Sequence, residues 1–281
     1  MRNDWGCLVA LFPKVLVVPA AALSFLLFLS AASAQVVHSE QVQIKPPLIR
    51  MTDPPAAEAT VADLVARADE FHAQKMFLDA LDYYRAALAK EPHSAVLLNK
   101  IGITELMMQR YRDAKKSFDR SIKADKKYAS AYNNLGVVLY EEQKFGAAVK
   151  QYRRAIAMDA TSASFYSNLG AALFSKKEFE PAVAAYQKAV ELDPDVFMRS
   201  SRVGVQAQLP SPGDRAHYDY TVAKLYAKMG FSDRSLEYLR KAMEEGYKDF
   251  KNVYKDAEFA ELRKDKRFTE LIASKPVTLP E

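Results

Sequence analysis

Histidine and carboxylate side chains, the usual groups for acid–base catalysis and metal binding, are scattered through this chain of 281 residues. The four histidines are His38, His72, His93 and His217. No two of them stand at the spacing of a metal-ligand pair, and the adjacent acids at 141–142 and 244–245 point to different sides of a helix. The chain also has no HExxH motif, no GxSxG motif and no Gly-rich phosphate loop. We therefore predict that the chain is not an enzyme and uses no metal and no cofactor.

Thiol chemistry is limited by a single cysteine, Cys7, which precedes an uncharged apolar run at residues 15–30. A lipid-acceptor cysteine would follow such a run, so we predict no lipidation. Removal of residues 1–34 would leave no cysteine, and therefore no disulfide, no thiol nucleophile and no thiolate metal site.

One cluster of bases is dense enough to bind phosphate groups. Its eight members lie in a predicted helix and its exit: Arg110, Arg112, Lys115, Lys116, Arg120, Lys123, Lys126 and Lys127. The helix-face subset of Lys116, Arg120, Lys123 and Lys127 is suited to nucleic acid or anionic lipid headgroups. Three aspartates are interleaved, however, and a net charge of +5 from mixed acids and bases is typical of a solvated exterior. We interpret the cluster as a solvated helix face and predict no nucleic-acid partner.

The elements that position these side chains come from an internal repeat. Four blocks of 34 residues align without gaps, and we call them units one to four: 61–94, 95–128, 129–162 and 163–196. The eighth position is small in every unit: Ala68, Gly102, Gly136 and Gly170. The twenty-fourth position is aromatic in every unit: Tyr84, Phe118, Tyr152 and Tyr186. Each unit reads as two amphipathic helices that cross closely at the small residue, with the aromatic ring filling the space beside it.

These units resemble the tetratricopeptide repeat (TPR), whose first helix carries an aromatic-x-x-Leu-Gly pattern. Residues 132–136 read Tyr-Asn-Asn-Leu-Gly, and residues 166–170 read Tyr-Ser-Asn-Leu-Gly. The resemblance implies an all-α fold, an α–α superhelix of about five helix-turn-helix repeats. The fifth repeat, unit five, is predicted at residues 216–249, where Gly230 and Ala242 stand in register.

The segments around the repeats have other compositions. Residues 197–215 are rich in Ser, Gly and Pro and are predicted to form an inserted loop, with a strand or hairpin near 203–209. Residues 250–281 are predicted to form a C-terminal helical cap and tail, with one or two short helices over 256–274.

The resemblance also implies where a partner binds. In TPR proteins the first helices of successive repeats line a concave inner face. Carried over by position, that face includes Asn99, Ile103, Asn133, Asn134, Val137, Tyr140, Ser167, Asn168 and Phe174. Asn134 and Asn168 match positions that hold a ligand's backbone in related arrays, although Lys100 interrupts this row. The alternative is that Ile103, Val137 and Phe174 only pack between repeats.

The same carry-over excludes one kind of TPR partner. The family's carboxylate clamp requires Lys and Arg on the inner face, and residues such as Val65, Asp69 and Ser130 fill those places here. What is predicted instead is a neutral groove with apolar positions, suited to an extended or helical segment.

The first 34 residues have the order of a secretory signal. Arg2 and Lys14 precede the uncharged run at 15–30, and the Ala-Ser-Ala sequence at 32–34 supplies the small residues of a cleavage site. We predict cleavage after Ala34 and export to the periplasm or the medium. The alternative is an uncleaved anchor through residues 15–34, the one case in which membrane contact is expected. Residues 35–60, with four prolines, are predicted to be extended or disordered.

Two functional classes follow. The first is an exported TPR scaffold that binds a protein or peptide along its concave face, in envelope assembly or secretion. The second is a structural subunit that self-associates or attaches to the cell wall.

Overall fold

The computed structural model describes residues 50–197 and 212–274, which belong to one structural unit spanning Leu48–Glu281. The predicted signal peptide, most of the segment 35–60, most of the inserted loop with its suggested strand, and the tail at 275–281 lie outside the described residues. Every regular element within them is helical, and none of these helices has the length and apolar character needed to span a bilayer.

Ten α-helices form five consecutive pairs, and an eleventh ends the described chain. The first helices are α1 (Val61–Ala73), α3 (Ala95–Met107), α5 (Ala129–Glu141), α7 (Ala163–Ser175) and α9 (Pro212–Lys228). The second helices are α2 (Phe77–Lys90), α4 (Tyr111–Ala124), α6 (Phe145–Met158), α8 (Phe179–Leu192) and α10 (Ser232–Glu244). Each helix packs on its pair partner, and α2, α4 and α6 also pack on the first helix of the next pair. The predicted all-α array of helix-turn-helix repeats is confirmed.

Positions eight and twenty-four of each unit explain how closely the two helices of a pair approach each other. Three glycines each face the aromatic ring of their own unit: Gly102 with Phe118, Gly136 with Tyr152, and Gly170 with Tyr186. A Cβ atom on Gly136 would lie 2.6 Å from the Tyr152 ring, which is closer than packed atoms tolerate. The predicted close crossing at position eight is therefore confirmed.

The turns within the pairs share one unusual backbone conformation. Position fifteen has a positive φ in units one to four: Lys75 (62°), Gln109 (60°), Gln143 (57°) and Lys177 (64°). In unit five that position is Gly230, with φ of 81°. A left-handed residue at this point lets the next N–H reach back, as when Lys144 N donates to Leu139 O at 2.8 Å. Each first helix is closed in this way before the second begins.

Unit five and the cap differ in detail from the prediction. Helix α9 begins at Pro212, four residues before the predicted unit, since proline is well suited to the first position of a helix. Three 3₁₀ turns follow α10 at Phe250–Tyr254, Ala257–Phe259 and Leu262–Lys264, and only then does helix α11 (Lys266–Ser274) form. Five apolar side chains of this region are buried in the main core: Val253, Phe259, Leu262, Phe268 and Leu271. The cap is therefore held by packing rather than by long helices.

The described part of the N-terminal segment, residues 50–60, is irregular but anchored on α2. Asp79, which is 2% exposed, accepts hydrogen bonds from Met51 N at 3.1 Å and from Thr52 N and Oγ1 at 3.0 and 2.8 Å. Arg50 pairs with Asp82, and Lys90 Nζ donates to Ala57 O at 2.9 Å. A buried carboxylate needs such donors, so this segment and α2 hold one another in place.

Candidate functional site

Four asparagines of the predicted inner face form a continuous chain of amides across α3, α5 and α7. Asn168 Nδ2 donates to Asn133 Oδ1 at 3.0 Å, Asn133 Nδ2 donates to Asn134 Oδ1 at 3.1 Å, and Asn134 Nδ2 donates to Asn99 Oδ1 at 2.9 Å. All four side chains are buried. We call this set the asparagine chain. It fixes how the first helices of units two, three and four sit against one another, because each buried amide depends on its neighbour.

The two large aromatic residues predicted as apolar contacts are core residues in the structure. The Tyr140 ring lies 5.1 Å from that of Phe145, and its hydroxyl is 2.9 Å from Ser175 Oγ. The Phe174 ring contacts the rings of Phe179 at 5.0 Å and His217 at 5.1 Å. Neither aromatic side chain is more than 3% exposed.

The remaining predicted residues follow the same trend. Val137 and Ser167 are buried, and Ile103 is half-buried against the main core. Eight of the nine predicted contacts are therefore buried, and the alternative in which Val137 and Phe174 pack between repeats matches their placement. A partner that touches these eight side chains has to gain access to them first.

Accessible apolar side chains of the inner face lie in units one and two. Val96 is 47% exposed, and Val65 and Ile103 are half-buried. Lys100 Nζ lies 2.6 Å from Asp69 Oδ1, which also accepts a hydrogen bond from the Tyr84 hydroxyl. Sequence reasoning treated Lys100 only as an interruption of the asparagine row. The sequence does contain a signal for this ion pair, because Asp69 and Lys100 have opposite charges and lie 31 residues apart on neighbouring first helices.

His72 lies close enough to this ion pair to feel both of its charges. Its Nε2 atom is buried and has no hydrogen-bond partner in the described part of the chain. Burial lowers the pKa of His72, with the Asp69 carboxylate opposing the shift and Lys100 adding to it. The side chain is therefore neutral near pH 7 and acts as a packing group against Phe77, whose ring is 5.4 Å away.

Metal chemistry has no candidate site in residues 50–197 and 212–274, where no three His, Cys, Asp or Glu side chains converge. The acids at 141–142 are an exposed and a half-buried residue at the end of α5. The arrangement is a row of packed helices, which is suited to holding another macromolecule.

Two models of known protein families match part of the repeat region. A family model described as "Tetratricopeptide repeat" matches residues 163–196, the same bounds as unit four, and a second described as "TPR repeat" matches residues 138–177. No curated protein matches the chain.

Several solved structures are similar to the chain at low sequence identity. PilF of Pseudomonas aeruginosa has a TM-score of 0.51 and 16% identity, covering 76% of this chain and 88% of that protein. MamA of Desulfovibrio magneticus RS-1 has a TM-score of 0.47 and 18% identity, covering 72% and 100%. YrrB, described as a TPR protein with an unusual peptide-binding site, has a TM-score of 0.44 and 19% identity, covering 68% and 94%. The family matches over residues 138–196, the 34-residue helix pairs and the glycine–aromatic crossings show that this chain contains tetratricopeptide repeats.

Proposed function

We propose that the protein is an exported scaffold that binds a protein or peptide partner along the inner face of its first helices, in envelope assembly or secretion. TPR solenoids are protein-interaction scaffolds, and stacked repeats provide the extended surface that such binding needs. The observation that carries the proposal is the asparagine chain, because it aligns the first helices of three consecutive units side by side.

The inner face divides into two parts by accessibility. In units one and two, Val65, Val96 and Ile103 provide apolar contacts beside the Asp69–Lys100 ion pair, and all of these side chains are exposed or half-buried. This part suits a segment with one or two apolar anchors and a polar group between them. The buried residues of units three and four remain proposed contacts, reached only when the partner replaces the groups that bury them.

The first experiment compares two exposed apolar side chains on different helices. Val96→Asp places a charge on the proposed face, and Met158→Asp does the same at the end of α6, where Met158 is 41% exposed. A partner isolated from envelope extract with the wild-type protein should bind Val96→Asp at least about tenfold more weakly, because a charge replaces a buried apolar contact. Met158→Asp should bind like the wild type. Equal affinity of wild type and Val96→Asp would contradict the inner-face assignment.

A second experiment tests units three and four. Asn134→Ala combined with Tyr140→Ala should weaken the same complex by roughly 2 kcal/mol, about thirtyfold. Both residues are buried, so circular dichroism must show an unchanged helix content before the result is interpreted. Lys116→Ala with Arg120→Ala is the matched exposed pair and should leave partner affinity unchanged. Loss of binding only in the exposed pair would place the partner on α4.

Export has its own test. N-terminal sequencing of the exported protein should begin at Gln35, because residues 32–34 supply the small residues that a signal peptidase requires. A membrane-bound protein that retains residues 1–34 would support the anchor alternative. Sedimentation of the pure protein separates scaffold from structural subunit, since only the latter should assemble further as concentration rises.

A further inference from the structure

The second helices of the five pairs carry very different charges. Helix α4 has five bases and two acids, and α6 has three bases and no acid, so each has a net charge of +3. Helices α2 and α10 are balanced, and α8 has one acid more than it has bases. The combined net charge of α4 and α6 therefore exceeds that of the whole chain, which is +5.

Seven of these eight bases are exposed, and most of them have no ion-pair partner among the described residues. We call seven of them the basic face: Arg112, Lys116, Arg120, Lys123, Lys150, Arg153 and Arg154. Within the described residues only Lys116 has an ion pair, with Asp113 at 3.6 Å, and both side chains are more than half exposed. Such a pair contributes little, so the face keeps a net positive charge.

The repeat places the members of the basic face on equivalent sites of neighbouring units. Lys116 and Lys150 are 34 residues apart, as are Arg120 and Arg154, so each pair occupies the same position of its helix. The position equivalent to Lys116 is occupied by Asp82 in unit one and by Ala184 in unit four. The face is therefore bounded by its neighbours and extends over units two and three only.

The chemistry of the face favours a broad anionic surface over a single-stranded nucleic acid. Single-stranded nucleic acids are bound by exposed aromatic rings that stack on bases. The four aromatic residues of α4 and α6 are half-buried or buried in repeat packing: Tyr111, Phe118, Phe145 and Tyr152. A membrane surface requires only many bases on one side of the protein, because each base is attracted to the anionic headgroups.

We infer that the basic face of α4 and α6 docks the folded repeat on an anionic phospholipid surface. This contact is separate from the inner face and from the N-terminal segment. It gives the scaffold a defined orientation, because the second helices face the lipid while the first helices carry the partner.

The test uses the full chain and vesicles of phosphatidylcholine with or without one third phosphatidylglycerol. Variant one replaces four bases of the basic face: Lys116→Ala, Arg120→Ala, Lys150→Ala and Arg154→Ala. Variant two removes the same charge from exposed bases of unit five and its exit: Lys228→Ala, Arg240→Ala, Lys248→Ala and Lys251→Ala. In a co-sedimentation assay, variant one should bind the anionic vesicles at least about thirtyfold more weakly than wild type, and variant two within about twofold of it.

Several results would overturn the inference. Equal losses in the two variants would mean that net charge alone attracts the protein. Equal binding of wild type to both vesicle types, or no loss in variant one, would assign membrane contact to the apolar run. Tighter binding of a duplex oligonucleotide than of vesicles, lost in variant one, would assign the face to nucleic acid. Partner affinity at the inner face should stay unchanged in variant one, so this inference and the proposed scaffold fail separately.

Discussion

At the scale of single residues, position twenty-four carries nearly the same ring in different hydrogen-bonding surroundings. The Tyr84 hydroxyl donates to Asp69, whereas the Tyr152 and Tyr186 hydroxyls are buried with no hydrogen-bond partner in the described structure. Unit two has Phe118 at this position and needs no partner at all. Burial also raises the pKa of the Tyr152 and Tyr186 phenols, so both hydroxyls stay protonated.

Removing these hydroxyls should therefore have opposite effects. Tyr84→Phe should lower the free energy of unfolding by about 1 kcal/mol, because it leaves Asp69 with one donor fewer. Tyr152→Phe should leave it unchanged or raise it by up to about 1 kcal/mol, because an unpaired buried hydroxyl is removed. Urea unfolding of the two variants measures both values. Similar losses in the two would show that Tyr152 has a partner after all.

The charge state of Asp219 should affect the stability of the folded protein. Its carboxylate is 7% exposed, and burial, with Glu245 nearby, raises its pKa to about 7, while Lys241 and Arg215 oppose the rise. Between the unfolded pKa of 3.8 and about 7, the folded protein keeps a proton that the unfolded chain has lost. Stability from this group is therefore full below the unfolded pKa and is lost as pH rises towards about 7.

Asp219→Asn should accordingly be more stable than wild type at about pH 8, by on the order of 2–4 kcal/mol. Its advantage should shrink as the pH is lowered to about 5, where the wild-type carboxyl is protonated in the folded state. Thermal unfolding at several pH values gives the difference directly. A difference that does not change with pH would show that Asp219 keeps its charge in the folded protein.

At the scale of elements, the turns of units one to four hold Lys or Gln where the backbone is left-handed. A side chain in this conformation costs about 1 kcal/mol or more relative to glycine. Gln143→Gly should therefore raise the free energy of unfolding by up to about 1 kcal/mol. Gly230→Ala should lower it by about 1 kcal/mol, and because no atom lies within 4 Å of the added Cβ, the loss would be backbone strain alone. Opposite signs in denaturant unfolding are expected, and equal signs would contradict this account.

Much of the repeat was predictable from the sequence, because close helix crossings restrict residue type strongly. The pairing of Gly136 with Tyr152 follows from two fixed positions of one unit, and the structure has it. The asparagine chain was less accessible, since Asn134 bonds to Asn99 of the preceding unit, and this depends on the offset between neighbouring first helices. Burial of Val137 and Tyr140 could not be seen either, because a helix pattern shows which faces are apolar and not what covers them.

At the scale of the molecule, a repeat array is stabilised mainly by contacts between neighbours, so damage should stay local. Ala148 is fully buried at a helix crossing of unit three, and Ala148→Glu would add bulk and an unpaired charge there. Overpacking alone costs on the order of 1–3 kcal/mol. Hydrogen exchange should accelerate first in α3 to α8, while α9 and α10 keep more protection. Uniform acceleration would show that the five pairs unfold as one cooperative unit.

The anchoring of residues 50–60 on α2 has a mechanical consequence. Tension applied to the chain at Arg50 meets the Asp79 and Asp82 carboxylates before it reaches helix α1. Those contacts join the segment to the second helix of unit one, so a pull on the N-terminal side loads α2 first and bypasses the helix that follows in sequence. The first rupture would release a short length of slack without unwinding any turn of helix. Residues 50–60 would therefore take up the first extension of a pulled chain before the helices of unit one unfold.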